Sequence, residues 1–376
     1  MQKMIFFWQN IVSIHQAPFL NALADEPNLS VFLIVGESLS EFRKGMGWTE
    51  PTLHSRITLI RFDDQIDWKD LINKNCGSDC LHIFSGIAAF SNVHKAFKYS
   101  VRLKCRIGIL SESLDLRGRK GLLRNIRGYY HRFIYGKSIR LVLAIGEQAK
   151  SQFLNWGYKS DCVFDWAYTV PLSKTTLLFQ DANQNDPFKI LFVGSLIQRK
   201  GYDLLIEALC KLHTTAFLAD LYCLRTPQDL ERRSIPGLRE LKGKVRLLPF
   251  ETNERIRSIM SSYDLFILPS RRDGWGAVIS ESLCEGLPAL VSRNCGASTL
   301  INSTLQGEVL KDIEPKHMSN VLNKLIQKGK PSAAHRRDLR IWAEKSISGS
   351  AMSAYFIEIL NSLAAANEKP IAPWKR

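Results

Sequence analysis

Residues 263–292 read YDLFILPSRRDGWGAVISESLCEGLPALVS, and their pattern decides the fold. An apolar run over Asp264–Leu268 is followed by a loop that contains two glycines. A helical stretch over Ser280–Glu285 comes next, Gly286 ends it, and a second apolar run covers Pro288–Ser292. Glycine is the usual residue just after a helix. The segment therefore predicts the strand–loop–helix–strand unit of a parallel α/β sheet.

The same alternation of short apolar runs and helical patterns extends over nearly the whole chain, which predicts doubly wound parallel sheets. Three further helices are expected over Ala17–Leu23, Val93–Leu103 and Tyr202–Leu212. The other predicted strands are Met4–Trp8, Ser30–Val35, Ile57–Phe62, Cys80–Phe84, Arg106–Leu110, Leu141–Ala144, Phe188–Val193, Leu218–Cys223 and Lys244–Pro249.

Polarity rises across Ser173–Pro187, which marks a linker between two domains. We expect one α/β domain over residues 1–175, a linker over 176–187 and a second domain over 188–347. An amphipathic C-terminal helix at about 348–376 would complete the first domain. Two such domains would face a central cleft at the carboxyl ends of their strands, where ligands bind in these sheets.

Composition narrows the class of protein. Of 376 residues, 45% are hydrophobic and 23% are charged, which excludes disordered and fibrous chains. No apolar run approaches the roughly 20 residues of a membrane-spanning helix, and Met1–Trp8 is too short for a signal-peptide core. We therefore expect a cytoplasmic protein. The net charge of +15 predicts attraction to phosphate, on a nucleotide, a nucleic acid or an anionic membrane.

Eight cysteines are too sparse for a disulfide scaffold in a chain of this length. Cys76 and Cys80 are spaced C-x3-C, but no second pair or histidine cluster completes a zinc site. We expect all eight cysteines to be reduced thiols.

The loop in the deciding segment has the character of an anion site. If the helix begins near Gly276, backbone N–H groups of about Gly274 to Val278 point out of its positive end. Asp273 and Glu281 lie eight positions apart, on either side of this start. They either face one pocket and bind the hydroxyls of a sugar or ribose, or are a solvated loop Asp and helix Glu. The flanking strand, the glycines and Pro288 favour the pocket.

A second stretch, FKILFVGSLIQRKGYDLLIEAL at 188–209, ends a strand at Gly194 and carries Arg199-Lys200-Gly201 before a helix. Two cations at the carboxyl end of a domain's first strand suit a diphosphate. Alone, a lysine before a helix is usually only solvated, and the stretch is neither a P-loop nor a G-x-G-x-x-G fingerprint. Together with the anion site it predicts a nucleotide-diphosphate pocket.

These two stretches resemble the GT-B class of glycosyltransferases, specifically glycosyltransferase family 4. Family members carry E-G-F-G-x-x-x-x-E where this chain has Asp273-Gly274-Trp275-Gly276 and then Glu281. The resemblance is specific over 188–209 and 263–292, covers the rest of the chain in layout, and is loose over the first 170 residues. It implies two Rossmann-like doubly wound domains that face a central cleft.

The resemblance also implies roles for individual residues. Asp273 and the backbone of Gly274, Trp275 and Gly276 would contact the donor sugar, and Lys200 would bind the diphosphate. Glu281 would bind the ribose hydroxyls. The remaining donor-binding positions that the resemblance implies are Gly194, Ala277 and Val278 on the phosphate side and Leu248, Pro249 and Phe250 for the base.

The chain departs from the family at three places. Ser195 replaces the arginine that usually follows the first-strand glycine, and Arg199 is the candidate to compensate. The usual glycine pair after the next strand is replaced by YCLRTPQ, which places Arg225 in the loop. The histidine that often lines the cleft in the first domain is also absent, since RIGILSESLD places Ser111-Glu112-Ser113 there. Glu112 has either a polar or catalytic role or a structural one.

His15 follows the first strand, where acceptors bind in this fold, and is either functional or structural. The acidic cluster Asp63-Asp64-Asp67 has the character of a solvated loop. It is not expected to be a metal site, because GT-B enzymes stabilise the leaving diphosphate with a helix dipole and Lys/Arg. No metal and no cofactor are expected, only the nucleotide sugar as substrate.

Positive charge is concentrated between residues 102 and 140, where only Glu112 and Asp115 are acidic. Within GLLRNIRGYYHRFIYGKSI the cations alternate with apolar and aromatic residues, as in helices that lie on anionic membranes. The alternative is an ordinary surface helix whose apolar stripe packs on the sheet. No nucleic-acid recognition motif accompanies the cations, so nucleic acid is not an expected partner. The eleven cations are Arg102, Lys104, Arg106, Arg117, Arg119, Lys120, Arg124, Arg127, Arg132, Lys137 and Arg140.

The sequence and its resemblance therefore predict a hexosyl- or glycosyltransferase that uses a UDP- or GDP-linked sugar. The resemblance implies that transfer needs no metal and proceeds with retention. The acceptor would be a glycan or a lipid-diphosphate-linked molecule, in polysaccharide or lipopolysaccharide biosynthesis at the inner face of the cytoplasmic membrane. Asp273, Lys200, Arg199, Glu112 and His15 are the candidate catalytic residues. The alternatives are other sugar-nucleotide chemistry, such as an epimerase or phosphorylase, and a binding protein without catalysis.

Overall fold

The computed structural model describes residues 3–39, 49–62, 67–172, 179–214, 216–223, 235–365 and 368–376. The chain forms two compact units. The first contains the described residues up to Pro171 together with Ser346–Arg376, and the second contains those within Leu172–Lys345. Within the described part of the chain, no helix is both long and apolar enough to cross a bilayer.

Each unit is built on a parallel sheet, of seven strands in the first and six in the second. The strand orders are β3-β2-β1-β4-β5-β6-β7 and β10-β9-β8-β11-β12-β13. Strands of parallel sheets are covered on both faces, which is why they are continuous apolar runs in the sequence. The strands are β1 Lys3–Gln9, β2 Leu29–Val35, β3 Ile57–Arg61, β4 Cys80–Ser85, β5 Ile107–Glu112, β6 Ile139–Ile145, β7 Val163–Trp166, β8 Phe188–Val193, β9 Phe217–Cys223, β10 Val245–Pro249, β11 Leu265–Leu268, β12 Ala289–Ser292 and β13 Gly307–Leu310.

Helices connect the strands, and all but α4 bury apolar side chains in the cores. The α/β class and the two Rossmann-like sheets predicted from the sequence are confirmed. The helices of the described residues are α1 Ala17–Ala24, α2 Trp68–Lys74, α3 Ser91–Arg102, α4 Gly118–Tyr135, α5 Glu147–Asn155, α6 Tyr202–Cys210, α7 Asn253–Met260, α8 Ala277–Cys284, α9 Pro315–Lys328, α10 Ala333–Ile347 and α11 Gly349–Ala365.

Helix α11 returns to the first unit and packs against α1. A Cβ on Gly349 would lie 2.2 Å from the carbonyl oxygen of Pro18, so the two backbones touch. The Phe356 ring meets the Phe19 ring edge-on, with centroids 5.5 Å apart. Residues from both ends of the described chain thus share one apolar core.

Helix α4 is seated on the first unit by its glycines. Gly121 and Gly128 are buried, and a Cβ on Gly128 would lie 2.1 Å from the ring of Trp156. The large apolar side chains of the helix consequently face outward, and the alternative in which its apolar stripe packs on the sheet is wrong. We call these exposed side chains the α4 ridge: Leu122, Leu123, Ile126, Tyr129, Tyr130, Phe133 and Ile134.

The expectation that every cysteine is reduced is wrong for one pair. Cys76, after α2, and Cys105, after α3, form a disulfide with their Cα atoms 4.8 Å apart. The carboxyl ends of the two helices are in contact, since the Tyr99 hydroxyl donates to Asn73 Oδ1 at 3.0 Å. Cys80, the other cysteine of the C-x3-C spacing, is buried in β4 as a free thiol.

Of the acidic cluster predicted to be a solvated loop, Asp63 and Asp64 lie outside the described residues. The Asp67 side chain caps α2, where its Oδ1 accepts a hydrogen bond from Lys69 N at 2.8 Å. An aspartate at this position satisfies a backbone N–H that the helix leaves without a partner.

A neutral histidine is built into the first core. Trp8 Nε1 donates to His82 Nδ1 at 3.1 Å, and His82 Nε2 lies 2.7 Å from the carbonyl oxygen of Asn75. The ring stacks on Phe6 at 4.7 Å. Because Nδ1 accepts, Nε2 carries the proton, and this arrangement suits only the uncharged ring. Burial lowers the pKa of His82 from 6.5 to about 4.

Stability should therefore fall in acid. The unfolded chain takes up the His82 proton near pH 6.5, whereas the folded chain does so only near pH 4. The neutral His82 ring makes its full contribution to the free energy of unfolding above pH 6.5, and this contribution is lost as the pH falls towards 4. At pH 4.5 the loss is about 2 to 3 kcal/mol. Between pH 7.5 and 4.5, the free energy of unfolding of His82→Gln should fall less than that of wild type. The difference between the two proteins should be about 2 to 3 kcal/mol.

Urea unfolding at the two pH values measures this difference. Burial lowers the pKa of His131 in the same direction, so the comparison with wild type, not the wild-type slope, isolates His82. The control is His317→Gln, which replaces an exposed side chain and should keep the wild-type pH dependence. Equal pH dependence of His82→Gln and wild type would contradict a neutral buried histidine.

Candidate functional site

The loops after β8 and β11 meet at the point where the strand order of the second sheet reverses. From β8 the chain proceeds to β9 and β10 on one side, and β11 begins the other side with β12 and β13. β8 and β11 are hydrogen-bonded neighbours. Ligands bind at such switch points in open parallel sheets. The fold thus brings together the two sequence stretches that had been singled out for phosphate binding.

Lys200 and Asp273 form an ion pair where the loops after β8 and β11 meet. Lys200 Nζ lies 2.5 Å from Asp273 Oδ2, and an Arg199 guanidinium nitrogen lies 4.0 Å from Asp273 Oδ1. The Lys200 and Asp273 side chains are 18% and 12% exposed, whereas Arg199 is 46% exposed. Partial burial strengthens the attraction between the first two groups, and Arg199 adds a more solvated charge.

The loop after β8 is held tightly against the loop after β11. Gly201 has φ +75°, and a Cβ there would lie 2.1 Å from the carbonyl oxygen of Pro269. Only glycine combines that backbone conformation with so close an approach. Arg271 N donates to the carbonyl of Arg199 at 2.8 Å, and the Arg271 guanidinium binds both carboxylate oxygens of Asp203 at 2.7 and 2.8 Å. Lys200 is therefore fixed by its neighbours on both sides.

Helix α8 begins where the sequence predicts. Gly276 is its N-cap with φ +86°, and the first helical residues are Ala277 and Val278. Backbone N–H groups in a first turn have no acceptor within the helix. The preceding loop is anchored because Asp273 N donates to Asn294 O at 3.0 Å and Gly296 N donates to Asp273 O at 3.2 Å.

Trp275, in the middle of this loop, points into the core. It is buried, and its Nε1 donates to Ser280 Oγ at 3.0 Å. The contribution of Trp275 to a site is therefore its backbone, and its side chain fastens the loop to α8.

Glu281, in α8, is 4% exposed and is held by Asn253. Asn253 Nδ2 donates to Glu281 Oε1 at 2.8 Å. Burial raises the pKa of the Glu281 carboxyl, and the hydrogen bond from Asn253 opposes that rise. One carboxylate oxygen thus has a fixed partner within the protein.

Asn253 is a residue of this site that the sequence pattern did not indicate. It lies at the start of α7, one turn before Arg257, whose guanidinium pairs with the buried Glu285. Asn253 and Arg257 face Glu281 and Glu285, and both pairs are spaced by four residues along their helices. This matched spacing of partners is the signal from which the contact could have been found.

The other predicted donor-binding residues lie at two places in the second unit. Gly194 and Ser195 follow β8, and Gly194 N donates to Tyr222 O at 3.0 Å. Leu248 and Pro249 end β10, an edge strand two positions from β8, and Phe250 follows. Arg225 lies outside the described residues.

His15 and Glu112 both belong to the first unit. The carbonyl of His15 accepts hydrogen bonds from Thr169 N at 2.9 Å and Thr169 Oγ1 at 3.0 Å. Glu112 ends β5, half-buried, opposite Ile145 of β6. Among the described residues, no three His, Cys, Asp or Glu side chains are grouped as metal ligands.

Comparison with known proteins shows which family part of this chain resembles. Residues 173–344 match the family model described as glycosyl transferases group 1. The chain is 26% identical over 162 residues to the amylovoran biosynthesis glycosyltransferase AmsK of Erwinia amylovora, which is 41% of this chain and 39% of AmsK. It is 26% identical over 161 residues to the lipopolysaccharide glucosyltransferase WaaG of Escherichia coli K12, covering 41% of each. The matches thus span about two fifths of these curated relatives.

The fold extends the similarity to nearly the whole chain. The crystal structure of Anabaena Alr3699/HepE in complex with UDP superposes with a TM-score of 0.69 at 15% identity, covering 96% of this chain and 100% of that one. The chain therefore has the GT-B fold, and at residues 173–344 it carries a domain that matches the family of group 1 glycosyl transferases.

Proposed function

We propose that this protein is a glycosyltransferase that moves a sugar from a UDP- or GDP-linked donor to a glycan or lipid-diphosphate-linked acceptor. The observation that carries the proposal is the Lys200–Asp273 pair at the switch point of the second sheet, beside the start of α8. The names of AmsK and WaaG support a place in polysaccharide or lipopolysaccharide biosynthesis.

In this mechanism the protein stabilises the charge that develops on the leaving diphosphate. As the bond between the anomeric carbon and the diphosphate oxygen breaks, its electron pair goes to that oxygen. Lys200, Arg199 and the N–H groups of Ala277 and Val278 would bind this charge, and such preorganised stabilisation is usually the largest catalytic contribution. Asp273, released in part from Lys200, would accept hydrogen bonds from the donor sugar.

The rest of the proposal concerns the acceptor and the class of enzyme. The acceptor hydroxyl forms the new bond to the anomeric carbon, with retention, and its proton goes to the departing diphosphate oxygen. The first unit, including His15 and Glu112, would bind the acceptor. We assign the enzyme to glycosyltransferase family 4 and propose that transfer needs no bound metal, because cations and a helix terminus supply the positive charge. Activity should then be unchanged after treatment with EDTA.

A thermal-shift screen against UDP, GDP and their sugar conjugates tests the donor site. A ligand that binds only the folded protein raises its melting temperature. The stabilising donor, radiolabelled in the sugar, is then incubated with a membrane lipid extract. Label in the lipid fraction supports transfer, whereas a new nucleotide sugar or a free sugar phosphate without acceptor would identify an epimerase or a phosphorylase.

Asn253 should support donor binding through Glu281. In Asn253→Ala, Glu281 loses the hydrogen bond that opposes the rise in its pKa, so the carboxylate is less well oriented and more easily protonated. We expect the Kd for the nucleoside diphosphate to rise about 5- to 10-fold, the value of one ordinary hydrogen bond, because Asn253 acts on the ligand only through Glu281. The affinity should also fall more steeply than that of wild type below neutral pH.

The same titration in a Glu281→Ala background tests whether the two residues act together. There, removing the Asn253 side chain should change the Kd by less than about 2-fold, because coupled residues are not additive. A full additional loss in the double variant, or a wild-type pH profile in Asn253→Ala, would assign Asn253 a role independent of Glu281.

A further inference from the structure

Helix α4 presents an apolar surface that no other described part of the chain covers. Along the α4 ridge, Phe133 is 84% exposed and Leu123 is 67% exposed. Contiguous apolar patches of this kind mark interaction sites in soluble proteins. The glycine side of the helix already faces the first unit, so the ridge has no room to turn inward.

A line of cations borders the ridge. Lys120, Arg124 and Arg127 are spaced four and three residues apart, so they lie along one edge of the helix. With Leu123 they line a hollow of about 310 Å³. Arg124 also donates to the carbonyl of Asp115 at 3.0 Å, which holds its guanidinium in place. We call these three cations the basic edge.

The charge of α4 indicates which kind of partner covers the ridge. Its 18 residues contain five Lys or Arg and no acidic residue. Within the described residues, no carboxylate forms an ion pair with a member of the basic edge. A second copy docked ridge to ridge would bring two such helices of like charge together, which is unfavourable. A bilayer of anionic phospholipid offers acyl chains to the ridge and phosphates to the cations.

We infer that α4 lies in the plane of an anionic bilayer, with the ridge in the acyl boundary and the basic edge on phospholipid phosphates. The inference rests on the proposed function, in which the acceptor can be lipid-linked. It narrows the membrane contact expected from the sequence from residues 102–140 to one helix. Arg102 ends α3, Lys137 follows α4 and Arg140 lies in β6. Those three cations are exposed but lie outside the helix that carries the ridge.

Sedimentation with vesicles tests the inference. The vesicles contain phosphatidylcholine alone or with 30% phosphatidylglycerol by design, roughly the anionic content that creates a strong surface potential. Three variants are compared with wild type: a ridge variant (Leu123→Gln with Phe133→Gln), a basic-edge variant (Lys120→Gln, Arg124→Gln and Arg127→Gln), and a control of equal charge (Arg102→Gln, Lys137→Gln and Arg140→Gln). All substituted side chains except that of Arg124 are exposed, and thermal melting verifies that each variant is folded.

We expect wild type to prefer the anionic vesicles. At low salt the basic-edge variant should bind about 100-fold more weakly, since each cation near an anionic surface contributes about a factor of 5. The control should lose less than about 5-fold. The ridge variant keeps every charge and should bind at least about 10-fold more weakly, including in high salt, where screening removes most of the charge contribution.

Several outcomes would overturn the inference. If wild type binds and the ridge variant binds equally well, the ridge does not insert. Equal losses in the basic-edge variant and the control would mean that charge alone, not α4, is recognised. Displacement by inorganic phosphate at equal ionic strength would indicate a free-phosphate site, and a dimer in analytical ultracentrifugation that the ridge variant abolishes would indicate a second copy. If wild type binds neither kind of vesicle, the protein does not bind membranes and the inference is wrong. The donor-site titrations test the proposed function separately and are not affected by this result.

Discussion

Replacing Lys200 by Met should lower kcat for sugar transfer about 100- to 1000-fold, the usual result of removing one preorganised donor to developing negative charge. Lys200 is the less exposed of the two cations beside Asp273, and its ammonium is 2.5 Å from that carboxylate. In the proposed mechanism it strengthens its contact as the diphosphate leaves, so the transition state depends on it more than the bound donor does. The Kd for the donor should rise less than kcat falls.

Single-turnover transfer of a radiolabelled sugar measures the chemical step separately from donor binding. Lys211→Met is the matched control, because Lys211 lies on the same unit in an exposed pair with Glu207. It should keep wild-type kcat. Arg199→Met, which removes the more exposed cation, should lose less activity than Lys200→Met. If kcat is unchanged in Lys200→Met while the donor still binds, the leaving group is not at this site.

Replacing Glu281 by Ala should raise the Kd for UDP or GDP about 100-fold. A buried carboxylate that binds two ribose hydroxyls makes two hydrogen bonds to a charged group, each contributing about 1.5 kcal/mol or more. The geometry supports this because Asn253 occupies Oε1 and fixes the orientation of the group. Burial raises the pKa of Glu281, so this carboxylate is protonated at a higher pH than an exposed one. The affinity of wild type for the nucleoside diphosphate should therefore begin to fall at that higher pH.

Isothermal titration with the nucleoside diphosphate measures the affinity directly. Glu281→Gln keeps the volume and one acceptor, so it should lose about 10-fold and separates the lost charge from any cavity. Glu254→Ala, an exposed carboxylate on the neighbouring helix α7, should leave the Kd unchanged. The same Kd in Glu281→Ala and wild type would remove Glu281 from the donor site.

The sequence predicted the central strands of both sheets because a buried parallel strand is an uninterrupted apolar run. Phe188–Val193 is observed with the predicted bounds, and the other predicted strands differ by one to three residues at their ends. The two strands that were not predicted, Val163–Trp166 and Gly307–Leu310, are four-residue edge strands that contain Asp165 and Glu308. A run of four residues with a carboxylate inside it is too short for its apolar signal to stand out in the sequence.

The donor-site stretches were predictable because each is a local pattern of strand, glycine and helix start. Contacts between distant stretches carry no such pattern. Asn253 reaches Glu281 only because α7 and α8 pack together, and Cys76 meets Cys105 only because α2 and α3 do. The outward ridge of α4 also escaped prediction, because a helix with apolar residues and small glycines does not specify which side is buried. Here Trp156 decides it by occupying the space beside Gly128.

The return of α11 to α1 has a consequence for the order in which the protein can fold during synthesis. At about 5 to 20 residues per second, ribosomes need roughly 20 to 60 seconds to pass from Pro18 to Gly349. The partner of α1 has not yet been made during that time, whereas the described residues of the second unit all lie within Leu172–Lys345 and can fold first. The nascent first unit therefore keeps an uncovered apolar face beside Phe19 until α11 emerges. Chaperone binding to ribosome-bound chains should be strongest in this interval and should end when Phe356 reaches its place.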